Sequence, residues 1–289
     1  MTQRLPFVMA VYRALGTGMV ISADSPIDDK VRSAMESLIE DYEHVLSRFR
    51  NDSLIAAIGK AEHGGSFDFP DWCAPLFDLY DALFSATSGA IDPCVGEDLI
   101  RLGYDASLSF TVTQDAPEHL GALRGRAVWG RDVTRHGTTL VTHEPVQLDF
   151  GACGKGYLVD LLGRMLQSSQ FVIDAGGDLL IHTEQPISVA LEDPEDQSHA
   201  IGIAHIANGA LCASAPSRRH WNVAVNERTQ IAIHHLLNAI DGLPAQQTEA
   251  SWAYVPANAT LNLARDYPTA VADGLATALF VSDVAQLQR

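Results

Sequence analysis

Residues 171–214 read FVIDAGGDLLIHTEQPISVALEDPEDQSHAIGIAHIANGALCAS. Five short apolar runs follow one another here: FVID (171–174), DLLIH (178–182), ISVALED (187–193), IGIAHI (201–206) and ALCAS (210–214). Gly, Pro and Asn separate them, and none of the gaps is long enough for a crossover helix. The spacing predicts consecutive antiparallel strands. Downstream, QIAIHHL (230–236) and SWAYVP (251–256) read as two more strands, and a helix over about Thr269 to Phe280 closes the pattern.

Upstream the helices gather. One begins near Lys155 and reaches about Gln167; another covers 71–87, with Trp72, Leu76, Leu79 and Leu83 on one face. A third starts at Ser25-Pro26, read as cap and first helical position, and carries Val31, Met35, Leu38, Ile39, Tyr42 and Leu46 at helical spacing to about Arg48. Residues 6–22 read as a hairpin broken at Gly16-Thr17-Gly18, and 105–147 as short strands and loops. No repeat and no Gly/Ser linker divides the chain. The expected fold is α+β: a single domain over 1–289, with antiparallel sheets and flanking helices.

Composition removes several functions. A formal net charge of −17 with no Lys/Arg run argues against nucleic acid and anionic membrane surfaces as partners. No run of about 18 apolar residues is present, so no membrane span is expected. Residues 1–16 lack a basic region followed by an apolar one, so no export signal is read and the expected location is cytoplasmic. Cys73, Cys94, Cys153 and Cys212 fit no zinc spacing and are expected as free thiols. A phosphate ligand would need a metal ion or backbone N–H groups, because the chain's own charge repels it.

Four polar, Gly-rich segments interrupt the apolar pattern. In GAIDPCVG (89–96), Asp92 can meet a ligand or can cap a helix over 93–100 with Pro93 at its first position. In LDFGACGKGY (148–157), three glycines crowd a strand-to-helix junction with Lys155 at the helix start. Such a junction can hold a pyrophosphate, or can be a tight turn that needs Gly. DAGGD (174–178) is ordinary hairpin material. In VADGLATALF (271–280), Asp273 and Thr277 share one helix face at i and i+4. A carboxylate above a hydroxyl suits a hard cation such as Mg²⁺, although Thr277 could equally bond its own helix. Gly274 inside that helix points to close packing.

Taken in order, these segments resemble the ApbE family of FAD:protein FMN transferases. GAIDPCVG stands for the family's GAFDPTVG, LDFGACGKGY for LDLGGIAKGY, DAGGD for NAGGD, HHLLNAIDGLP (234–244) for HHIIDPxTGxP, and ADGLATAL (272–279) for ADALATAL. Weaker likenesses lie at RALGT (13–17), SRFRNDSLI (47–55) and ASAPSRR (213–219). The resemblance implies an ApbE-like (T-fold-like) domain that binds FAD as substrate and transfers its FMN half to a Thr or Ser hydroxyl of an acceptor protein, releasing AMP. It implies a Mg²⁺ site of the Ala152 carbonyl, Asp273 and Thr277, and flavin-nucleotide contacts from Leu15, Phe49, Ala90, Ile91, Asp92, Lys155 and Val255. His235 and Asp273 are its candidates for catalysis. A Mg²⁺-dependent FAD pyrophosphatase would use the same site; a flavin-binding protein without turnover is the other alternative, and the Asp273 and Thr277 pair argues against it, because a pure binder needs no metal at the pyrophosphate. The chain departs from the family at Asn238-Ala239-Ile240-Asp241, Cys94 and Pro216, on the side where the acceptor is expected.

Overall fold

The computed structural model describes residues 5–226 and 229–282; the first four residues of the N-terminal stretch lie outside it. In chain order the elements begin β1 Phe7–Ala14, β2 Thr17–Ala23, α1 Asp29–Leu46, α2 Leu54–Lys60, β3 Gly65–Asp68 and α3 Ala74–Ala86. Then come α4 Gly96–Arg101, α5 Ala116–His119, β4 Val133–His136, β5 Thr139–Thr142, α6 Gly154–Gly163, β6 Phe171–Asp174, β7 Leu179–Glu192 and β8 Ala200–Ser214. The chain continues with β9 His220–Asn226, β10 Thr229–His234, β11 Leu237–Asn238, β12 Leu243–Pro244, β13 Ser251–Pro256, α7 Asn262–Asp266 and α8 Pro268–Val281.

Two compact units form, and neither is one continuous segment. The first draws on residues up to Tyr42, Cys153–Ser214 and Ala250–Ala276; the second on Glu43–Ala152, Ala215–Glu249 and the chain from Thr277. In the first, six antiparallel strands are ordered β1-β2-β6-β7-β8-β13. Ala210 and Cys212 of β8 and Ala253 and Val255 of β13 pack with Ala272 and Ala276 of α8. The second holds a three-stranded sheet, β3-β5-β4, and the pairs β9–β10 and β11–β12. Its core includes Leu99, Leu102, Tyr104, Trp221, Ile233 and Leu237.

The α+β expectation holds, with antiparallel sheets and the helical stripe of α1 buried at Met35, Ile39, Tyr42 and Leu46. Four details differ. DLLIH and ISVALED form one strand, β7, because the break between them is a bulge: the register moves from His182↔Asn208 to Ile187↔Ile206. Pro186 sits in that bulge, where no ladder bond is required of it. IGIAHI and ALCAS likewise join into β8. The first helix starts at Asp29, not at Ser25-Pro26; Asp28 Oδ1 accepts the Lys30 N–H at 2.7 Å, while Ser25 Oγ bonds Ser168 Oγ at 2.9 Å. The helix expected to reach Gln167 ends at Gly163. All four cysteines are free and buried. Among the described residues no helix is long and apolar enough to cross a membrane.

Candidate active site

In the first unit the glycine-rich junction and the hairpin turn meet the last helix. Lys155, at the start of α6, bonds the carboxylate of Asp178, which is fully buried. Asp178 sits there because β6 and β7 pair as Asp174↔Leu179 and the turn between them places Gly176 and Gly177 at φ 64° and 105°. The other oxygen of Asp178, Oδ1, is buried without a hydrogen-bond partner. Asp273, 5% exposed, accepts the Gly156 N–H at 3.0 Å. Burial, and then the charge of Asp178, push the Asp273 carboxyl well above the ordinary range. Burial works against the Lys155 ammonium, but the charges of Asp178 and Asp273 outweigh it and hold Lys155 firmly protonated. Two buried carboxyl groups therefore crowd one ammonium, and Asp273 is the one that is held towards its protonated form.

α6 and α8 come close enough for this because residue 156 is Gly. A Cβ there would lie 2.4 Å from Thr269 O and 2.9 Å from Asp273 Cβ. Gly274, where close packing was expected, is buried in α8, and a tight contact between the two helices lies at Gly156. Asp160 of α6 also caps α8, accepting the Thr269 N–H at 3.0 Å and the Ala270 N–H at 2.8 Å. Val255 is buried in β13 against the same helix. Leu15 turns the β1–β2 hairpin at φ 51°, and the side chain of Thr17 beside it approaches Gly176.

In the second unit Thr277 Oγ1 donates to Ala152 O at 3.2 Å, and Tyr80 Oη accepts the Ala152 N–H at 3.2 Å. The threonine thus reaches across to another segment. Among the described residues no three His, Cys, Asp or Glu side chains converge as a metal site. Ala152 O and Thr277 Oγ1 are a carbonyl and a hydroxyl oxygen, donors of a different kind from those side chains.

Ala90, Ile91 and Asp92 are 1%, 4% and 2% exposed. Asp92 acts as a cap, accepting the Cys94 N–H at 2.8 Å, but what it caps is a short 3-10 turn over Pro93–Val95, and the helix expected from 93 begins at Gly96. Behind it lies the guanidinium of Arg126, 3.4 Å from Asp92 and 2.8 Å from Asp98. Arg126 also donates to Ala239 O at 2.7 Å, and Ala239 N–H donates to Ala90 O at 3.0 Å. The GAID segment and the departing NAID segment are therefore tied to one buried cation.

Phe49 is 39% exposed and meets Tyr104 edge-on at 5.3 Å, with the Arg48 guanidinium 4.2 Å over its ring. Arg48 bonds Asp149 and the Tyr104 carbonyl. On its other sides Tyr104 stacks on Trp221 at 5.8 Å and meets the His235 ring at 6.4 Å. His235 Nδ1 lies 3.2 Å from Arg219 O. A carbonyl only accepts, so Nδ1 carries the proton and Nε2 the lone pair. Burial, helped by the Arg219 charge, pulls the imidazole down to about 4.

Sequence reasoning gave no role to Arg48, Tyr104, Arg126 or Asp160, and took Asp178 only as part of the DAGGD segment. Asp178 had a signal, a carboxylate wedged between Gly-Gly and an apolar strand. The others are lone polar residues whose partners lie far along the chain.

The ApbE family model matches residues 15–289. A protein named FAD:protein FMN transferase from Treponema pallidum (strain Nichols) is 25% identical, covering 87% of this chain and 72% of that protein. Three solved structures share the fold. An ApbE protein of Thermotoga maritima MSB8 has a TM-score of 0.75 at 20% identity, covering 95% of this chain and 86% of its own. The flavin transferase ApbE of Vibrio cholerae has 0.75 at 18%, covering 97% and 88%. The apo flavinyl transferase ApbE of Pseudomonas stutzeri has 0.74 at 21%, covering 97% and 86%. With the family model matched from the first hairpin turn to the C-terminus, this chain belongs to the ApbE family.

Proposed function

We propose that this chain is a flavin transferase that moves the FMN half of FAD onto a Thr or Ser hydroxyl of an acceptor protein and releases AMP, using Mg²⁺ held by the Ala152 carbonyl, the Thr277 hydroxyl and the Asp273 carboxylate. Family membership supports the transferase, as does the name carried by the Treponema relative. The observation that carries the metal reading is the 3.2 Å spacing of Thr277 Oγ1 and Ala152 O. Neighbouring oxygens around an octahedral Mg²⁺, each at about 2.1 Å, stand about 3 Å apart. The crowding of the Asp178 and Asp273 carboxyl groups fits the same ion, because a cation there would favour the ionised form that burial opposes. Bound Mg²⁺ would neutralise charge on the pyrophosphate oxygens.

The chain's own groups do the rest. The acceptor hydroxyl oxygen bonds to the FMN-side phosphorus as that phosphorus parts from the bridging oxygen, which leaves with AMP. The hydroxyl proton goes to the lone pair of His235 Nε2, a neutral base near pH 7. Asp178 fixes Lys155, so the pyrophosphate meets a preset ammonium. Phe49 offers an exposed ring to the flavin; Leu15, Val255 and the Ala90–Asp92 segment wall the nucleotide.

The test is incubation with FAD and Mg²⁺, with and without an acceptor bearing an Asp-Gly-x-Ser-Gly-Ala-Thr-like segment. AMP together with flavin fluorescence that survives denaturation on the acceptor is the expected result. AMP with free FMN alone would make it a pyrophosphatase. Tight FAD binding without AMP would make it a flavin-binding protein.

A further inference from the structure

We infer that the outer edge of β8 between Ala200 and Ile206 docks an extended segment of the acceptor protein, which joins the six-stranded sheet in line with β13. The inference rests on the transferase reading for the identity of its partner. β8 is 15 residues long, but β13 pairs with it only over Gly209–Ser214. At Asn208 the edge is closed, because its carbonyl accepts from Tyr254 Oη at 2.8 Å and from the Ala257 N–H at 3.4 Å. Beyond it, among the described residues, β7 is the strand paired with Ala200–Ile206. In an antiparallel ladder, alternate residues turn both N–H and C=O to the far side, so about half of these residues present a backbone pair that no strand takes up.

Edges of this kind are normally blunted by charge, Pro or a bulge. The sequence here is AIGIAHI, without Lys, Arg, Asp, Glu or Pro, and Ile201 and Ile203 are 59% and 63% exposed. Where β13 stops, a groove of about 640 Å³ opens beside the edge, lined by Ala204, His205, Leu211, Tyr254, Pro256 and Asn258. A backbone edge with an adjoining side-chain pocket is the arrangement that binds peptides by strand addition.

Charge selects the occupant. Residues 165–217 contain no Lys or Arg, and the loop beyond the edge carries Asp193, Glu195 and Asp196 after Glu192. A second copy would bring the same negative ribbon on a chain of net charge −17. A segment of alternating β-branched residues with Lys or Arg at the end nearest that loop is complementary. Docking there is also connected to the site: β8 continues into Ala210 and Cys212, which pack against Ala272 and Ala276 on either side of Asp273.

The probe is acetyl-Thr-Val-Thr-Val-Thr-Val-Lys-Lys-amide, whose lysines lie next to the acidic loop when it runs antiparallel to β8 as β13 does, free and fused through a Gly/Ser linker to an Asp-Gly-x-Ser-Gly-Ala-Thr acceptor. The free peptide is expected to slow amide exchange at Ile201–Ile206 at least tenfold. The fusion is expected to lower the acceptor KM at least tenfold against the unfused acceptor. The double variant I201K/I203K, whose substitutions lie on exposed positions, should lose both effects while keeping FAD affinity and the rate on the unfused acceptor. Equal KM for fused and unfused acceptors, or no protection of these amides, overturns the inference. So does a dimer in solution that I203K dissociates, because a second copy then owns the edge. Protection without labelling of any acceptor leaves the docking edge standing and removes the transferase reading.

Discussion

Asp273 Oδ2 accepts the N–H of Gly156 at 3.0 Å, a bond that fixes the carboxylate of α8 on the first turn of α6. It depends on the absence of a side chain at 156, since a Cβ would sit 2.4 Å from the Thr269 carbonyl. Gly156→Ala should force the helices apart and cost about 1–3 kcal/mol, the usual range for overpacking. It should also weaken Mg²⁺ binding, since Asp273 moves with α8. Thermal melts with and without Mg²⁺ check both; an unchanged melting temperature would show that the contact is soft.

Asp273→Asn keeps an acceptor for Gly156 but removes a carboxyl whose ionisation burial and the Asp178 charge oppose. Without metal the variant should be as stable as the wild type or more so. With Mg²⁺ at 100 times its dissociation constant the wild type should gain about 2.7 kcal/mol, and the variant nothing. AMP release should fall at least about a hundredfold. A variant that retains the Mg²⁺-dependent gain places the metal elsewhere.

The contrast between these helices and their surroundings shows what was legible beforehand. The i, i+4 spacing of Asp273 and Thr277 is a local property and could be read directly. So could the DAGGD turn, whose two glycines take positive φ. What Thr277 bonds could not: Ala152 is its partner across 125 residues. Pro186 and Asn208-Gly209 carry ordinary break signals, yet they fall in or beside a bulge that two long strands absorb together. Arg126 shows no periodicity in its neighbourhood, and its role exists only once Asp92 and Asp98 surround it.

His235 makes the pH dependence specific. Its folded pKa of about 4 lies below the ordinary value of 6.5, and burial is the main cause. Between those values the unfolded chain binds a proton that the folded chain refuses, so this group removes stability as pH falls from about 6.5 towards 4. The acid limb of kcat/KM should accordingly lie near 4 for this base. His235→Gln should abolish that limb and lower kcat by about 10²–10⁴ if Nε2 takes the proton. A limb that survives the substitution would assign the base to another group.

Asp160 works in the opposite sense. Burial raises its carboxyl to about 7 although it accepts two N–H groups of α8. Between about 4 and 7 the unfolded chain has lost this proton and the folded chain has kept it. Stability from this group therefore falls as pH rises, by up to about 1.4 kcal/mol per unit. Asp160→Asn loses one of the two capping bonds, about 1 kcal/mol, but does not titrate. The wild type should be the more stable protein at pH 4.5, and the difference should close or reverse by pH 7.5. Urea midpoints at the two pH values measure it; a constant difference would mean that Asp160 is ionised throughout.

Arg126 is the residue whose loss should cost most. Its side chain is fully buried between Asp92 and Asp98, and it holds the Ala239 carbonyl. Even with Arg126 opposing it, burial lifts Asp98 to about 6. Arg126→Leu fills the space but leaves two carboxylates without a counter-charge, a change that typically costs about 3–5 kcal/mol. The deficit should grow as pH rises through 6, because Asp98 must then be ionised to match the unfolded chain. Adding Asp98→Asn should recover part of it by removing one stranded charge. Because Ala239 bonds Ala90, the same variant should loosen the Ala90–Asp92 segment and weaken FAD binding in a sample still folded at low temperature. Chemical denaturation from pH 5 to 8 with an FAD titration tests both parts. Wild-type stability in the single variant would show that water, not Arg126, supports these two aspartates.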